Sequence, residues 1–174
     1  MNFKKKIIAI LLIFFAFHLP LLAETPHFLD FKLILNQSDA GKKAQIFLKN
    51  KLEKGIKNLK TKEKEIQEEE KKIIQQKKII SAEEYKKKVT DLRANVSSLQ
   101  KERNTLLDSV AKQRSKARKE LLKNLNPVVK SYMENKKIRV VLDKKSILLA
   151  DENLNITNDI MDLLNKKLKS INLN

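Results

Sequence analysis

From residue 56 to residue 126 the chain contains neither glycine nor proline. With nothing to punctuate it, so long a stretch reads as helix. Its apolar side chains are spaced for a partner helix. Leu52, Leu59, Ile66, Ile73 and Ile80 recur every seventh residue. Leu48 and Ile56 open a second row, which Glu63, Glu70 and Lys77 then take over. Further on, Tyr85, Val89, Leu92, Val96, Leu99, Leu106 and Val110 follow alternating steps of three and four, interrupted by Arg103. This is a coiled-coil seam, narrow and in places polar. Between the two runs lies Ser81-Ala82-Glu83-Glu84. In a capping box the serine hydroxyl accepts a free N–H of a new helix, and the glutamate reaches back to the serine N–H. Inside one unbroken helix such a box has no use. The reading is therefore a chain reversal near Ile79–Ser81, with Ser81 and Glu84 at the tip of an antiparallel hairpin; a single continuous rod is the alternative. The outgoing arm would be roughly 60 Å long at 1.5 Å per residue, more than a small domain can cover.

The two ends differ from this middle. Phe28-Leu-Asp30-Phe-Lys32-Leu-Ile-Leu35 is β-prone and partly alternating. Ser38 suits the N-cap of the following helix, and Asp39 suits its positive first turn. At the other end, Asn126-Pro127 is expected to restart or kink the returning helix. Ile138–Asp143 reads as a β-branched strand, Ile147–Leu149 as a second, shorter one, and 151–155 as a loop. Thr157 is the expected cap of a final helix with Ile160, Leu163, Leu164, Leu168 and Ile171 on one face. If the two end strands pair, the middle must leave and return, which argues for the hairpin independently.

The chain opens with Lys4-Lys5-Lys6, an apolar run from Ile7 to Phe17, then Pro20 and Ala23. Positive head, short apolar core and a small residue at the end are the pattern of an export signal cleaved after Ala23. The alternative is an uncleaved anchor, against which the shortness of the run counts. Past residue 23 there are 35 basic and 21 acidic side chains, a charge of +14. The charge is −2 over 24–41, +15 over 42–137 and +1 over 138–174. The aromatic residues past residue 23 are Phe28, Phe31, Phe47, Tyr85 and Tyr132. Such a chain cannot close a large core alone and is expected to fold with copies of itself or a partner.

Enzyme chemistry finds little to work with. The chain has no cysteine, and its one histidine past the leader, His27, reads as an exposed terminal residue. Two glycines cannot write a phosphate-cradling loop. Glu68-Glu69-Glu70 lies among lysines at helical spacing and reads as a solvated face. No catalytic residue, metal site or cofactor is expected. The lysines Lys71, Lys72, Lys77, Lys78, Lys86, Lys87 and Lys88 gather at the expected tip. They serve either solubility, helped by a Lys/Asn/Ile-rich vocabulary, or attraction of acidic clients or anionic lipid head groups within a Debye length of ~8–10 Å. Nucleic acid would meet such a surface through phosphates only, with no element to read bases, and an exported chain would not encounter it.

The run Phe28-Leu-Asp-Phe-Lys-Leu-Ile-Leu-Asn36-Gln-Ser38-Asp-Ala-Gly41-Lys-Lys-Ala44 resembles the opening of the Skp/OmpH family of periplasmic chaperones. Val140-Val-Leu-Asp143, Ile147-Leu-Leu-Ala150-Asp151 and Leu154-Asn155-Ile156-Thr157 resemble its close. Asp39 stands where the family often has proline, and the lysine-rich middle matches in type only. The resemblance implies a homotrimer in which three helical hairpins hang from a β-rich body around a cavity. It also implies a function: holding unfolded outer-membrane β-barrel proteins in the periplasm without ATP.

The expected fold is thus mainly α with a small β part (α+β), a long helical-hairpin tentacle projecting from a β-rich trimerisation body. Residues 1–23 are the leader, 24–41 with 126–174 the body, and 42–125 the tentacle. Phe28, Phe31, Ile138, Val140, Leu142 and Leu148 are the expected buried residues of the trimer body. The expected partners are other copies of the chain, unfolded outer-membrane proteins and possible anionic lipids. A structural envelope coiled-coil adaptor with one fixed protein partner is the alternative function.

Overall fold

The structure is a computed structural model that describes residues 25–173; the expected export signal at 1–23 lies outside them. A short strand β1 (His27–Leu29) leads into helix α1 (Phe31–Gln37). Two long helices follow, α2 (Asp39–Gln76) and α3 (Ala82–Lys136), then strand β2 (Val141–Asp143). Single 3₁₀ turns at Lys144–Ser146 and Glu152–Leu154 lead to the last helix, α4 (Thr157–Lys167).

The ends clasp each other. β1 and β2 form a two-stranded parallel sheet in the register His27↔Val141, Phe28↔Leu142, Leu29↔Asp143. Parallel strands cannot be joined by a tight turn and need a long crossover. Here the crossover is the entire helical hairpin. The C-terminal region joins at the same place, since Ile156 N–H donates to Phe28 O at 2.9 Å. Behind the sheet, Leu29, Ile34 and Ala40 meet Leu121, Leu125 and Val128 of α3, Ile156 just before α4, and Ile160 and Leu164 of α4. The α3 and α4 positions recur at helical steps of three and four, which puts each set on one face.

The hairpin grows out of this core. α2 has 38 residues, roughly 57 Å of helix at 1.5 Å per residue. At its start the Ser38 hydroxyl accepts the Gly41 N–H at 3.2 Å. The α1–α2 corner is so tight that a Cβ on Gly41 would lie 2.1 Å from the Leu35 carbonyl oxygen. Along the arm Leu59 and Ile73 are buried and Leu52, Ile66 and Ile80 half-buried, so the seven-residue row is the seam. Gly55 lets Leu106 approach closely from α3, where a Cβ would meet the leucine methyl at 2.4 Å. The reversal occupies 77–81. Ser81 caps α3 by accepting the Glu84 N–H at 3.1 Å, while the Glu84 carboxylate lies 3.8 Å from Lys88 rather than reaching back.

Several local expectations change. Phe31–Leu35 is helix, not strand. The Asp30 carboxylate accepts the Leu33 N–H at 2.7 Å and so starts a helical turn. Ile34 is then fully buried with Phe31 and Leu35 beside it, a helical face that short alternation had mimicked. Pro127 neither restarts nor breaks α3, which runs through it with the ring on the exposed side. The helix ends instead at Lys137, in the left-handed region at φ 57°. Ile147–Leu149 forms no strand. Thr157 is not the cap of α4 but its first residue. Its hydroxyl accepts the Asp30 N–H at 2.8 Å and donates to Asn155 Oδ1 at 2.5 Å. His27 is half-buried in β1, its N–H donating to Val140 O at 3.0 Å.

Candidate functional site

Three surfaces follow from this architecture. The first is the hairpin tip. Residues 71–88 carry seven lysines against two glutamates. Lys88 pairs with Glu84, and Lys77 sits over the Tyr85 ring at 5.6 Å. Lys71, Lys72, Lys78, Lys86 and Lys87 are exposed and have no acidic partner within ion-pair distance among the described residues. The chain reversal gathers these charges from both arms, so a sequence spread over eighteen residues becomes one positive end.

The second is the outer edge of the body. Phe28 is buried, and Phe31 and Ile138 pack against the core. The other three residues expected to be buried are open in the single chain. Val140 is 47% exposed, Leu142 41% and Leu148 fully exposed at 104%, with Leu149 beside it at 91%. The physical reason is the size of the sheet. With two strands, β2 has a free edge, and the Leu148–Leu149 bend has nothing packed over it among the described residues. Beside that edge lies an apolar hollow of about 490 Å³ between Phe31, Val129, Met133 and Val140. Exposed strand edges and large apolar side chains together mark a surface for pairing with another chain.

The third is the wall of the arm. Polar pairs close the seam where apolar residues fail. Lys62 Nζ lies 2.6 Å and 2.7 Å from the two Glu102 oxygens. Arg103, which interrupts the seam, lies 3.8 Å from Glu63 across it, and Asn95 donates to Glu69 at 3.2 Å. These pairs are exposed and each adds at most about 1 kcal/mol. The middle of the arm is therefore weakly held compared with its root. At the root, Lys51 donates to Ser109 at 2.7 Å and to Gln113 at 2.9 Å. Gln113 in turn donates to the Leu173 carbonyl at 2.7 Å, and the Leu173 side chain is buried against Ala44, Leu48, Val110 and Ala117. Sequence reasoning missed Leu173, because one leucine next to the last residue carries no periodic signal.

The Tyr132 phenol departs from its ordinary range. Tyr132 donates to the Asp159 carboxylate, and its pKa is pushed up from 10.0 to about 12, by that hydrogen bond first, then by burial and the Asp159 charge. The pair ties α3 to α4 and lines no cavity named above. Among the described residues there is no group of three or more His, Cys, Asp or Glu side chains placed to hold a metal ion. Among them, too, no helix is long and apolar enough to cross a membrane.

A family model described as "Outer membrane protein (OmpH-like)" matches residues 27–164, from β1 into α4. Among solved structures, the chain is similar to a putative outer membrane chaperone (OmpH-like) from Caulobacter crescentus. The TM-score is 0.79 at 19% identity, over 85% of this chain and 89% of that one. A comparison with curated proteins finds no match.

Proposed function

Because the chain belongs to the OmpH-like family, we propose that it is a chaperone of the periplasm that holds unfolded outer-membrane β-barrel proteins without ATP. It does so as a homotrimer. In this reading residues 24–41 and 126–174 form the trimerisation body and 42–125 the arm. The observation that carries it is the division of the exposed surface. Apolar side chains stand open at Val140, Leu142, Leu148 and Leu149 on the body, while exposed lysines crowd the far end of a free-standing hairpin.

The physical logic is multivalent. The body's open strand edge and apolar side chains are covered when copies associate, which brings three arms together around one space. Each arm offers scattered apolar residues and many lysines, so single contacts are weak. Three linked arms raise the effective concentration of those contacts, and no single one needs to be strong. A client enclosed by them cannot meet a second client, which suppresses pairing of exposed strand edges. The polar, exposed closures at Lys62–Glu102 and Arg103–Glu63 leave the middle of the arm free to bend, so arm separation adapts to client size.

The test is dilution of a urea-unfolded outer-membrane β-barrel protein into buffer with and without this protein, followed by light scattering. The reading expects scattering to be suppressed without nucleotide. Undiminished scattering contradicts it and leaves the fixed-partner adaptor.

A further inference from the structure

The root of the hairpin has two faces, and the described residues cover only one. On one face the C-terminal tail lies in a hollow of small and branched side chains: Leu173 fills it, and Gln113 holds the Leu173 carbonyl at 2.7 Å. On the other face the same two helices, with α1, leave an open groove of about 650 Å³, within the range of roughly 300–1,000 Å³ usual for ligand sites. Its floor is again small and branched, formed by Ala44, Leu48, Leu121 and Leu35. One lip carries Arg114 and Arg118, four residues apart and therefore on one side of α3. The other lip carries Asn36 and Gln45, joined by a hydrogen bond of 2.5 Å. Among the described residues, none that lines the groove is acidic. Arg118 stacks over Phe31 at 5.8 Å, and neither arginine has an acidic partner among the described residues.

We infer that this groove binds an extended apolar peptide segment carrying a carboxylate, with Arg114 and Arg118 as its anion contacts. The inference rests on the holdase reading, since the segment would belong to an unfolded client. Two observations select the occupant. The tail on the opposite face demonstrates what this seam accepts, a segment outside any helix or strand with a branched apolar side chain seated between Ala and Leu residues and a polar side chain on its backbone. The charge of the lip selects the sign, because two guanidinium groups without a counter-charge favour a carboxylate, which they can hold by paired hydrogen bonds. Arg114 and Arg118 are specificity-determining residues in this account, and the groove floor supplies the apolar contact.

The experiment uses the full mature protein and two dye-labelled peptides, one alternating leucine with glutamate and one alternating leucine with lysine, read by fluorescence anisotropy. The charge reversals are the double variant R114E/R118E at the groove and K71E/K72E at the tip. The expected result is at least about a tenfold loss of affinity for the glutamate peptide in R114E/R118E, a gain for the lysine peptide in the same variant, and a much smaller change in K71E/K72E. Equal weakening of the glutamate peptide by both variants would overturn the inference, since general positive charge would then explain binding. Loss of both peptides in R114E/R118E would overturn it too. So would loss in that variant of binding to phosphatidylglycerol vesicles with the glutamate peptide unaffected, which would make the groove a lipid contact. Aggregation assays separate the two levels. If the wild-type protein suppresses scattering but the peptide ignores the groove, only the groove fails. If it suppresses nothing, the holdase reading fails.

Discussion

The backbone N–H of Asp30 donates to the hydroxyl of Thr157 at 2.8 Å, across 127 residues of sequence and the whole length of the hairpin. Thr157 is buried and Asp30 half-buried, so this bond knots the end of β1 to the start of α4 inside the body. Removing the acceptor while keeping the shape leaves a shielded N–H unpaired. Thr157→Val is expected to cost about 1–3 kcal/mol, measured by chemical unfolding. A change near zero would mean that water replaces the hydroxyl.

Gly41 and Gly55 both lie in helix α2, yet they should respond differently to alanine. At Gly41 the obstruction is a backbone carbonyl, that of Leu35. Backbone yields only by opening the α1–α2 corner, so Gly41→Ala is expected to cost about 1–3 kcal/mol. At Gly55 the obstruction is the end of the Leu106 side chain, which can change rotamer. There the gain in helix propensity, up to about 1 kcal/mol, offsets part of the clash. Thermal unfolding of both variants should therefore rank Gly41→Ala well below Gly55→Ala.

The Tyr132–Asp159 hydrogen bond makes stability depend on alkaline pH. The phenol holds its proton more tightly in the folded chain, with a pKa of about 12 against 10.0. The bond's contribution is thus fully present below pH 10 and is lost as pH rises through 12. Tyr132→Phe should cost about 1 kcal/mol near pH 8, and the difference from wild type should shrink toward pH 12. In an absorbance titration the variant should lose the tyrosine step near pH 12.

Leu173→Ala should loosen the arm at its root without touching the tip. The leucine fills the hollow between Ala44, Leu48, Val110 and Ala117. Loss of a buried leucine side chain costs about 2 kcal/mol or more in a closed core, but a tail can also detach, which limits the effect to its surroundings. Amide hydrogen exchange should accelerate around Ala44–Leu52 and Leu106–Ala117. Rates on either side of Ser81 should not move.

How much of the fold is legible in the sequence depends on how many residues carry each signal. The hairpin was legible because it is written twice, in the row from Leu52 to Ile80 and in the Ser81 cap, and because the ends needed to meet. Ser38 was legible for the same local reason as Ser81, a hydroxyl before a helical run. The segment Phe31–Leu35 was not, since five apolar-rich residues fit a strand or a helical face equally well until Asp30 captures the Leu33 N–H. The end of α3 was hidden because Lys137 occupies a left-handed position where glycine is usual. The exposure of Val140, Leu142 and Leu148 was unreadable because an apolar run signals a hydrophobic surface without saying whether its own chain covers it. At the candidate sites, the lysine cluster was visible in sequence. The arginine-lipped groove was not, because Leu35, Ala44, Leu48 and Leu121 converge only after three helices pack.

The central claim is that the exposed body edge assembles three chains whose arms then enclose a client, and native mass tests it most directly. The measurement is made on the mature protein alone and after addition of an unfolded outer-membrane β-barrel protein. The account predicts a trimer that takes up a client and keeps its subunit number, and a Val140→Asp variant that falls to single chains. A wild-type protein that runs as a single chain, or a trimer whose mass does not change when the unfolded protein is added, would contradict it.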